Sequence, residues 1–301
     1  MKHKEQFYSN KDFNRAAELR EVVTDTTNVS FIPIFKGDFF VTKGEVGTVL
    51  MQVPLELVAH TNKHYFLGVV ANQEVWCVDL SEITYEIITQ YIQNVTLLSV
   101  RDCLHLINEQ DASLLAYAKG LVSWHNTHQF CNNCGASTVI EEKGHRRKCT
   151  NSTCGIPHFP RINPAVIVLI TYNGKNKPPL CLLNMHQKDY GYMCSLFSGF
   201  SEIGESLEDT VIREMKEEVN VSVSDITYVA SQPWVFPASM MLGFTAKTKS
   251  KEFTIDNKEI KKAQWFSAAE IKKLVQAEKL VISRKDSISH FIITEWVKQN
   301  S

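Results

Sequence analysis

The sequence predicts an α+β chain of more than one domain, with a small cysteine module between its halves. Three observations carry that reading. Short β-rich runs give way to helical periodicity over about the first 125 residues. Four cysteines, Cys131, Cys134, Cys149 and Cys154, fall in two close pairs near the middle. Beyond them a continuous apolar run leads into a helix that carries three carboxylates on one face.

A chain of 301 residues is long enough for two domains, each with its own core. A composition of 44% hydrophobic and 22% charged residues, with 13 glycines and 9 prolines, excludes disordered and fibrous classes. Lys plus Arg number 32 against 33 Asp plus Glu, so the net charge of −1 exerts no global pull on nucleic acid, and any RNA contact has to be local. No apolar run is long enough to cross a bilayer, and the opening residues lack a hydrophobic signal core. The last residues, Lys298-Gln299-Asn300-Ser301, do not form the common peroxisomal tripeptide. The expected compartment is cytoplasmic or mitochondrial, without membrane attachment. Eight cysteines in such a chain point to reduced thiols.

In the first half, Phe31–Phe35, Phe39–Val41, Thr48–Met51, Tyr65–Val70 and Glu74–Leu80 read as strands punctuated by Gly, Asn and Lys. From Ile83 the signal turns helical, over Tyr85–Ile92, Arg101–Ile107 and Asp111–Leu121. No residues here have catalytic spacing. His60, His64 and His105 are isolated, and Cys77 and Cys103 read as small buried hydrophobes.

Cys131-x2-Cys134 and Cys149-x4-Cys154 offer four thiolates in two knuckles, as a tetrahedral structural zinc requires. With four cysteine ligands no coordination position is left for a substrate, so the metal reads as a staple for a ribbon too small to hold a core. Gly135 lets backbone turn toward the sulfurs. The residues between the knuckles form a hairpin, and its basic run His145-Arg146-Arg147-Lys148 reads as a solvated edge, with phosphate contact as the alternative.

The second half opens with Ala165–Thr171, a buried central strand, followed by a turn at Asn173-Gly174 and a second strand at Leu180–Asn184. Glu214, Glu217 and Glu218 then lie at relative positions 0, +3 and +4 of a helix capped by Ser206, opposite an apolar stripe of Leu207, Val211, Met215 and Val219. Three adjacent like charges are costly unless a cation sits among them, though a bare acidic helix can also be simply solvated. Trp265-Phe266 reads as strand packing, and Ala268–Leu274 and Ser287–Val297 as closing helices.

The surrounding pattern identifies a family. Gly199, five residues, Glu205, seven residues and Arg213-Glu214-Met215-Lys216-Glu217-Glu218-Val219 with Val221 resemble the Nudix box of hydrolases that cleave a diphosphate linked to a nucleoside. Asn220 stands where the family has glycine, and asparagine tolerates the left-handed cap best after glycine. Val229–Met241, with Ser231-Gln232-Pro233-Trp234-Val235-Phe236-Pro237-Ala238-Ser239, is similar to the signature of the NADH pyrophosphatase subfamily, departing at Val235 where proline is usual. Asp111–Cys131 resembles the helix that leads into that subfamily's zinc module, particularly in its mitochondrial-type animal members.

The resemblance implies an N-terminal Nudix-like α/β domain at 1–127, a zinc ribbon at 128–160 and a C-terminal Nudix α/β/α sandwich at 161–301. It implies that Glu214, Glu218 and Glu259, with the backbone carbonyl of Ser198, hold two or three Mg²⁺ or Mn²⁺ ions, and that Glu217 completes or orients that shell. Glu214, Glu217 and Glu218 are the candidate catalytic residues, with the general base open between Glu217 and Glu218. Arg213 is expected to tie the helix to the loop bearing Glu205. Substrate contacts are implied for Phe159, Phe200, Gln232, Pro233, Trp234, Val235, Phe236, Pro237, Ala238, Ser239 and Ser289. The implied activity is hydrolysis of NAD(H) to nicotinamide mononucleotide and AMP by a homodimer, extending to NAD-capped RNA. A Nudix hydrolase of another nucleoside diphosphate derivative such as ADP-ribose, or a non-catalytic NAD(H)-binding module, are the alternatives, the latter because Ser198, Asn220 and Val235 depart from the usual pattern.

Overall fold

A computed structural model of the chain describes residues 6–22, 28–44, 47–189 and 191–301. They fall into two units, one of Tyr8–Ile162 with Val235–Ala238, the other of Asn163–Trp234 and Ser239–Ser301 with the residues up to Phe7. Among the described residues no helix is long and apolar enough to cross a membrane.

In the first unit, β1 (Val29–Phe35), β2 (Asp38–Thr42), α1 (Leu55–Val58), β3 (His64–Val70), β4 (Gln73–Asp79), α2 (Tyr85–Tyr91), β5 (Val95–Leu98) and α3 (Glu109–Thr127) follow in order. The strands make one sheet, β3-β4-β1-β2-β5. Phe31 and Phe40 from the sheet pack with Leu57 of α1 and Ile88 of α2 in one core cluster. Two sequence expectations are corrected here. Thr48–Met51 makes one isolated bridge, Val49 to Val41, because β2 is already paired with β1 at Phe39 and little free edge remains. Arg101–Ile107 holds only a 3-10 turn at Asp102–His105, since Asn108 already caps α3 by accepting the Asp111 N–H at 2.8 Å.

The ribbon consists of β6 (Thr138–Glu141), β7 (Arg146–Cys149) and β8 (Pro157–His158), paired as one sheet. Its basic run is not the solvated edge expected. Side chains alternate along a strand, so His145 and Arg147 turn inward, both 7% exposed, while Arg146 pairs with Glu141 and Glu142. Arg147 donates through Nε to Thr138 Oγ1 at 2.7 Å and through Nη1 to His125 Nδ1 at 2.9 Å. His125 is therefore left to donate from Nε2 to the Gly144 carbonyl at 2.8 Å, and its ring stacks on Tyr65 with centroids 3.9 Å apart. Burial, followed by the nearby Arg147 charge, lowers the His125 pKa to about 3 and keeps the ring neutral.

The second unit holds β9 (Asn163–Tyr172), β10 (Leu180–Lys188), β11 (Gly191–Ser195), β12 (Phe197–Phe200), α4 (Leu207–Val219), β13 (Ser224–Trp234), β14 (Ser239–Thr248), β15 (Ala263–Ser267), α5 (Ala268–Gln276), β16 (Leu280–Ile282) and α6 (Ile288–Gln299). Its eight strands form one sheet with β9 inside. The apolar run of β9 is continuous because both faces are covered. Val166, Val168 and Ile170 pack with Val211, Met215 and Val219 of α4. Ile167 and Leu169 pack with Ile271 of α5 and Ile292, Ile293 and Trp296 of α6. This is an α/β/α sandwich, and α4 lies on the face opposite α5 and α6.

Truncating a side chain in either layer leaves a cavity that a packed sheet cannot close. Ile292→Ala is expected to lower unfolding free energy by about 2–5 kcal/mol, read as a lower urea midpoint with an unchanged slope.

Candidate active site

The site is built on α4. Ser206 accepts the Asp209 N–H at 3.1 Å, and the Asp209 carboxylate accepts the Ser206 N–H at 3.1 Å, so the two residues close the helix start reciprocally. At the other end Asn220 adopts the left-handed conformation, φ 54° and ψ 36°, and its N–H bonds the Lys216 carbonyl. The turn expected of a glycine survives with asparagine.

Between these caps Val211, Met215 and Val219 are fully buried against the sheet, which turns the acidic face toward β12. Glu214 and Glu218 are nonetheless only 9% and 6% exposed. Gly199 explains how Glu214 fits. A Cβ at that residue would lie 1.9 Å from the Glu214 carboxyl carbon, so the carboxylate occupies the space a side chain would take. Gly199 sits in β12 opposite Val166 of β9, and Ser198 is opposite Ile167. The strand pairing therefore delivers this close approach.

Arg213 organises the carboxylates. It donates through Nε to Glu205 Oε1 at 2.6 Å, through Nη1 to Glu214 Oε1 at 2.8 Å and Glu217 Oε2 at 2.9 Å, and through Nη2 to the Phe200 carbonyl at 2.8 Å. That guanidinium holds the Glu205 carboxyl down to about 2. Thr210, fully buried, adds a hydrogen bond to Glu205 Oε2 at 2.9 Å. Nothing in its type or spacing marked Thr210 in the sequence.

Glu218 has no such cation. Burial pushes its pKa up to about 8, and the charges of Glu214 and Glu259 push the same way. Its Oε2 is buried without a hydrogen-bond partner. Glu214 is also raised, chiefly by burial, with Arg213 opposing. Glu259 is exposed, but its segment is tied to the helix, since Asp256 N–H donates to the Glu218 carbonyl and Thr254 N–H to the Val219 carbonyl, at 2.8 and 2.9 Å. Two buried carboxylates, one with an orphaned oxygen, beside a third at the surface suit a hard divalent cation.

The other expected site residues are distributed differently. Phe200 is exposed at the end of β12, and Ser198 is exposed on the same strand. Gln232 is fully buried and its amide is committed within the unit. It donates to the carbonyls of Asp286 at 2.7 Å and Phe7 at 3.1 Å and accepts the Ile288 N–H at 2.8 Å. Pro233 and Trp234 end β13 opposite Met240 and Ser239. Ser289 is buried on α6, where its hydroxyl accepts the Leu196 N–H at 3.1 Å. Val235, Phe236, Pro237 and Ala238 group with the first unit, as does Phe159, which is 47% exposed.

A second metal position lies in the ribbon. The sulfurs of Cys131, Cys134, Cys149 and Cys154 all lie within 4.8 Å of one another, the Cys131–Cys154 pair at 3.8 Å and the Cys134–Cys149 pair at 3.4 Å. Tetrahedral zinc with Zn–S of about 2.3 Å separates sulfurs by about 3.8 Å, so the donor set fits a four-cysteine metal ion. Gly135 and Gly155 follow the last cysteine of each knuckle with φ of 75° and 56°. Gly155 plays the same part as Gly135, and its place after Cys154 was the available signal.

Two family models match the chain. Residues 161–291 match the NUDIX domain model and residues 30–124 that of the NADH pyrophosphatase-like rudimentary NUDIX domain. The human NAD-capped RNA hydrolase NUDT12 is 34% identical over 64% of this chain and 43% of its own. The mouse mitochondrial NAD(P)H pyrophosphatase NUDT13 is 34% identical over 68% of this chain and 60% of its own. The NAD-capped RNA hydrolase NudC of Vibrio parahaemolyticus is 36% identical over 60% of this chain and 66% of its own. The chain spans about half the length of the first curated relatives it matches.

Two outcomes follow for protein dialysed free of divalent cations. A carboxyl whose pKa rises from 4.5 to about 8 on folding leaves the unfolded state with fewer bound protons between those values, so stability falls as pH rises through that window. Thermal unfolding from pH 5 to pH 8 is expected to show that fall, on the order of a few kcal/mol, and Glu218→Gln to abolish most of it. Gly199→Ala, which forces the Glu214 carboxylate from its place, is expected to weaken Mn²⁺ binding in a calorimetric titration about tenfold or more.

Proposed function

We propose that this chain, a member of the Nudix hydrolase family with an NADH pyrophosphatase-like domain before its Nudix domain, hydrolyses the diphosphate of NAD(H) to nicotinamide mononucleotide and AMP. The observation that carries the reading is the paired burial of Glu214 and Glu218 on α4, with one Glu218 oxygen unpartnered. The names of the relatives support the substrate class and extend it to NAD caps on RNA.

In this reading Glu214, Glu218 and Glu259, with the Ser198 carbonyl, hold Mg²⁺ or Mn²⁺, and Glu217 orients the set. Bound there, the ions neutralise phosphoryl charge and make water a stronger nucleophile at neutral pH. Arg213 keeps Glu205, Glu214 and Glu217 at fixed distances, so the helix face does not splay. Without the ion, burial raises the Glu218 pKa to about 8, and an ion bound there would hold the carboxyl deprotonated. Phe200 and Phe159 offer exposed rings for stacking, and the Gln232–Ser239 segment receives the dinucleotide. Gln232 acts there by holding the segment, because both its donors and its acceptor are committed to backbone. Zinc serves the ribbon 128–160 as a structural ion, and 161–301 perform the chemistry. The protein works as a homodimer in a cytoplasmic or mitochondrial compartment.

Incubation with NADH and Mg²⁺ or Mn²⁺ is expected to release nicotinamide mononucleotide and AMP in equal amounts, by chromatography. Glu218→Gln is expected to lose about 10²–10⁴-fold in kcat. Absence of mononucleotide product, or turnover unchanged in Glu218→Gln, overturns the reading. A competition panel of NADH, ADP-ribose and NAD-capped RNA ranks the substrates.

A further inference from the structure

The tip of the β13–β14 hairpin is held by residues far from it in sequence. Val235 lies against α3, where a Cβ added to Gly120 would come within 3.4 Å of Val235 Cγ1. The Arg101 guanidinium carbon is 3.9 Å from the centroid of the Phe236 ring. The Tyr8 ring meets the same side chain edge-on, with centroids 6.0 Å apart and planes at 73°. A guanidinium over an aromatic face is attracted by the ring quadrupole, and an edge-to-face partner fixes the remaining rotation. Arg101 has a firm origin, because Val100 before it is fully buried and Asp102–His105 after it is a 3-10 turn. The orientation of Phe236 is thus set by Tyr8 and Arg101 of the first unit.

We propose that Arg101 is a positioning residue for Phe236, with Tyr8 bracing the ring, so that a residue distant in sequence sets the part of the segment at Val235–Ala238. The proposal rests on the reading that the Gln232–Ser239 segment receives substrate. A ring left free to rotate costs binding before it costs chemistry, since the carboxylates on α4 are untouched.

Steady-state kinetics of Arg101→Leu with NADH is expected to show KM raised roughly 3- to 10-fold with kcat within about twofold. Arg101→Lys, which keeps a cation over the ring, is expected to restore most of the loss. In a Phe236→Leu background Arg101→Leu is expected to add little, because the partner ring is gone. Hydrogen exchange at the amides of Val235, Phe236 and Ala238 in the substrate-free protein is expected to accelerate in Arg101→Leu. The proposal is overturned if KM and exchange both stay at wild-type values, if kcat falls while KM holds, or if the KM effect persists undiminished in the Phe236→Leu background. If the wild type turns over no NADH, the exchange measurement decides alone. Faster exchange then keeps the positioning role while the proposed function fails, and unchanged exchange removes both. Should Arg101→Leu not fold, Arg101→Gln and Arg101→Lys carry the same comparison.

Discussion

The Nudix domain depends on a close approach between one carboxylate and one glycine. Glu214 occupies the space above Gly199 that any side chain would fill, and this contact sets how near α4 lies to β12. From that distance follow the burial of Glu214 and Glu218, the reach of Arg213 to four partners, and the raised proton affinity of Glu218. Like charges brought this close raise the energy of the folded state, and a divalent ion bound among them would offset that cost.

The rest of the second unit keeps that geometry rigid. The apolar stripe of α4 is clamped on a sheet whose other face is covered by α5 and α6, so the helix cannot retreat from β12 without opening a core. Arg213 then divides the acidic face. Glu205, Glu214 and Glu217 share its guanidinium, while Glu218 makes no ion pair with it. Glu205 and Glu218, alike in chemistry, shift in opposite directions, the first held down by Arg213 and the second pushed up by burial.

The ribbon is likewise held by a few committed side chains. Four cysteine sulfurs are gathered by two short loops, but docking against the first unit's sheet depends on His125, His145 and Arg147. His145 donates to the Phe66 carbonyl at 2.8 Å, and Arg147 bonds both Thr138 and His125. A run that looks like a charged edge becomes half of a buried hydrogen-bond set, because every second residue of β7 faces inward.

Features set by local periodicity were readable in the sequence alone. The spacing of Glu214, Glu217 and Glu218, the cap at Ser206, the left-handed turn at Asn220 and the four-cysteine pattern need only neighbours a few residues away. The β9 run was legible for the same reason, since a strand covered on both faces has to be apolar throughout. Tertiary structure decided what depends on distant partners. The burial of Glu218 requires β12 and the Asp256 segment, the commitment of Gln232 requires Asp286 and Phe7, and the setting of Phe236 requires Arg101 and Tyr8. Proton affinity and side-chain orientation are set by desolvation and contact, which exist only once distant parts of the chain have been brought together.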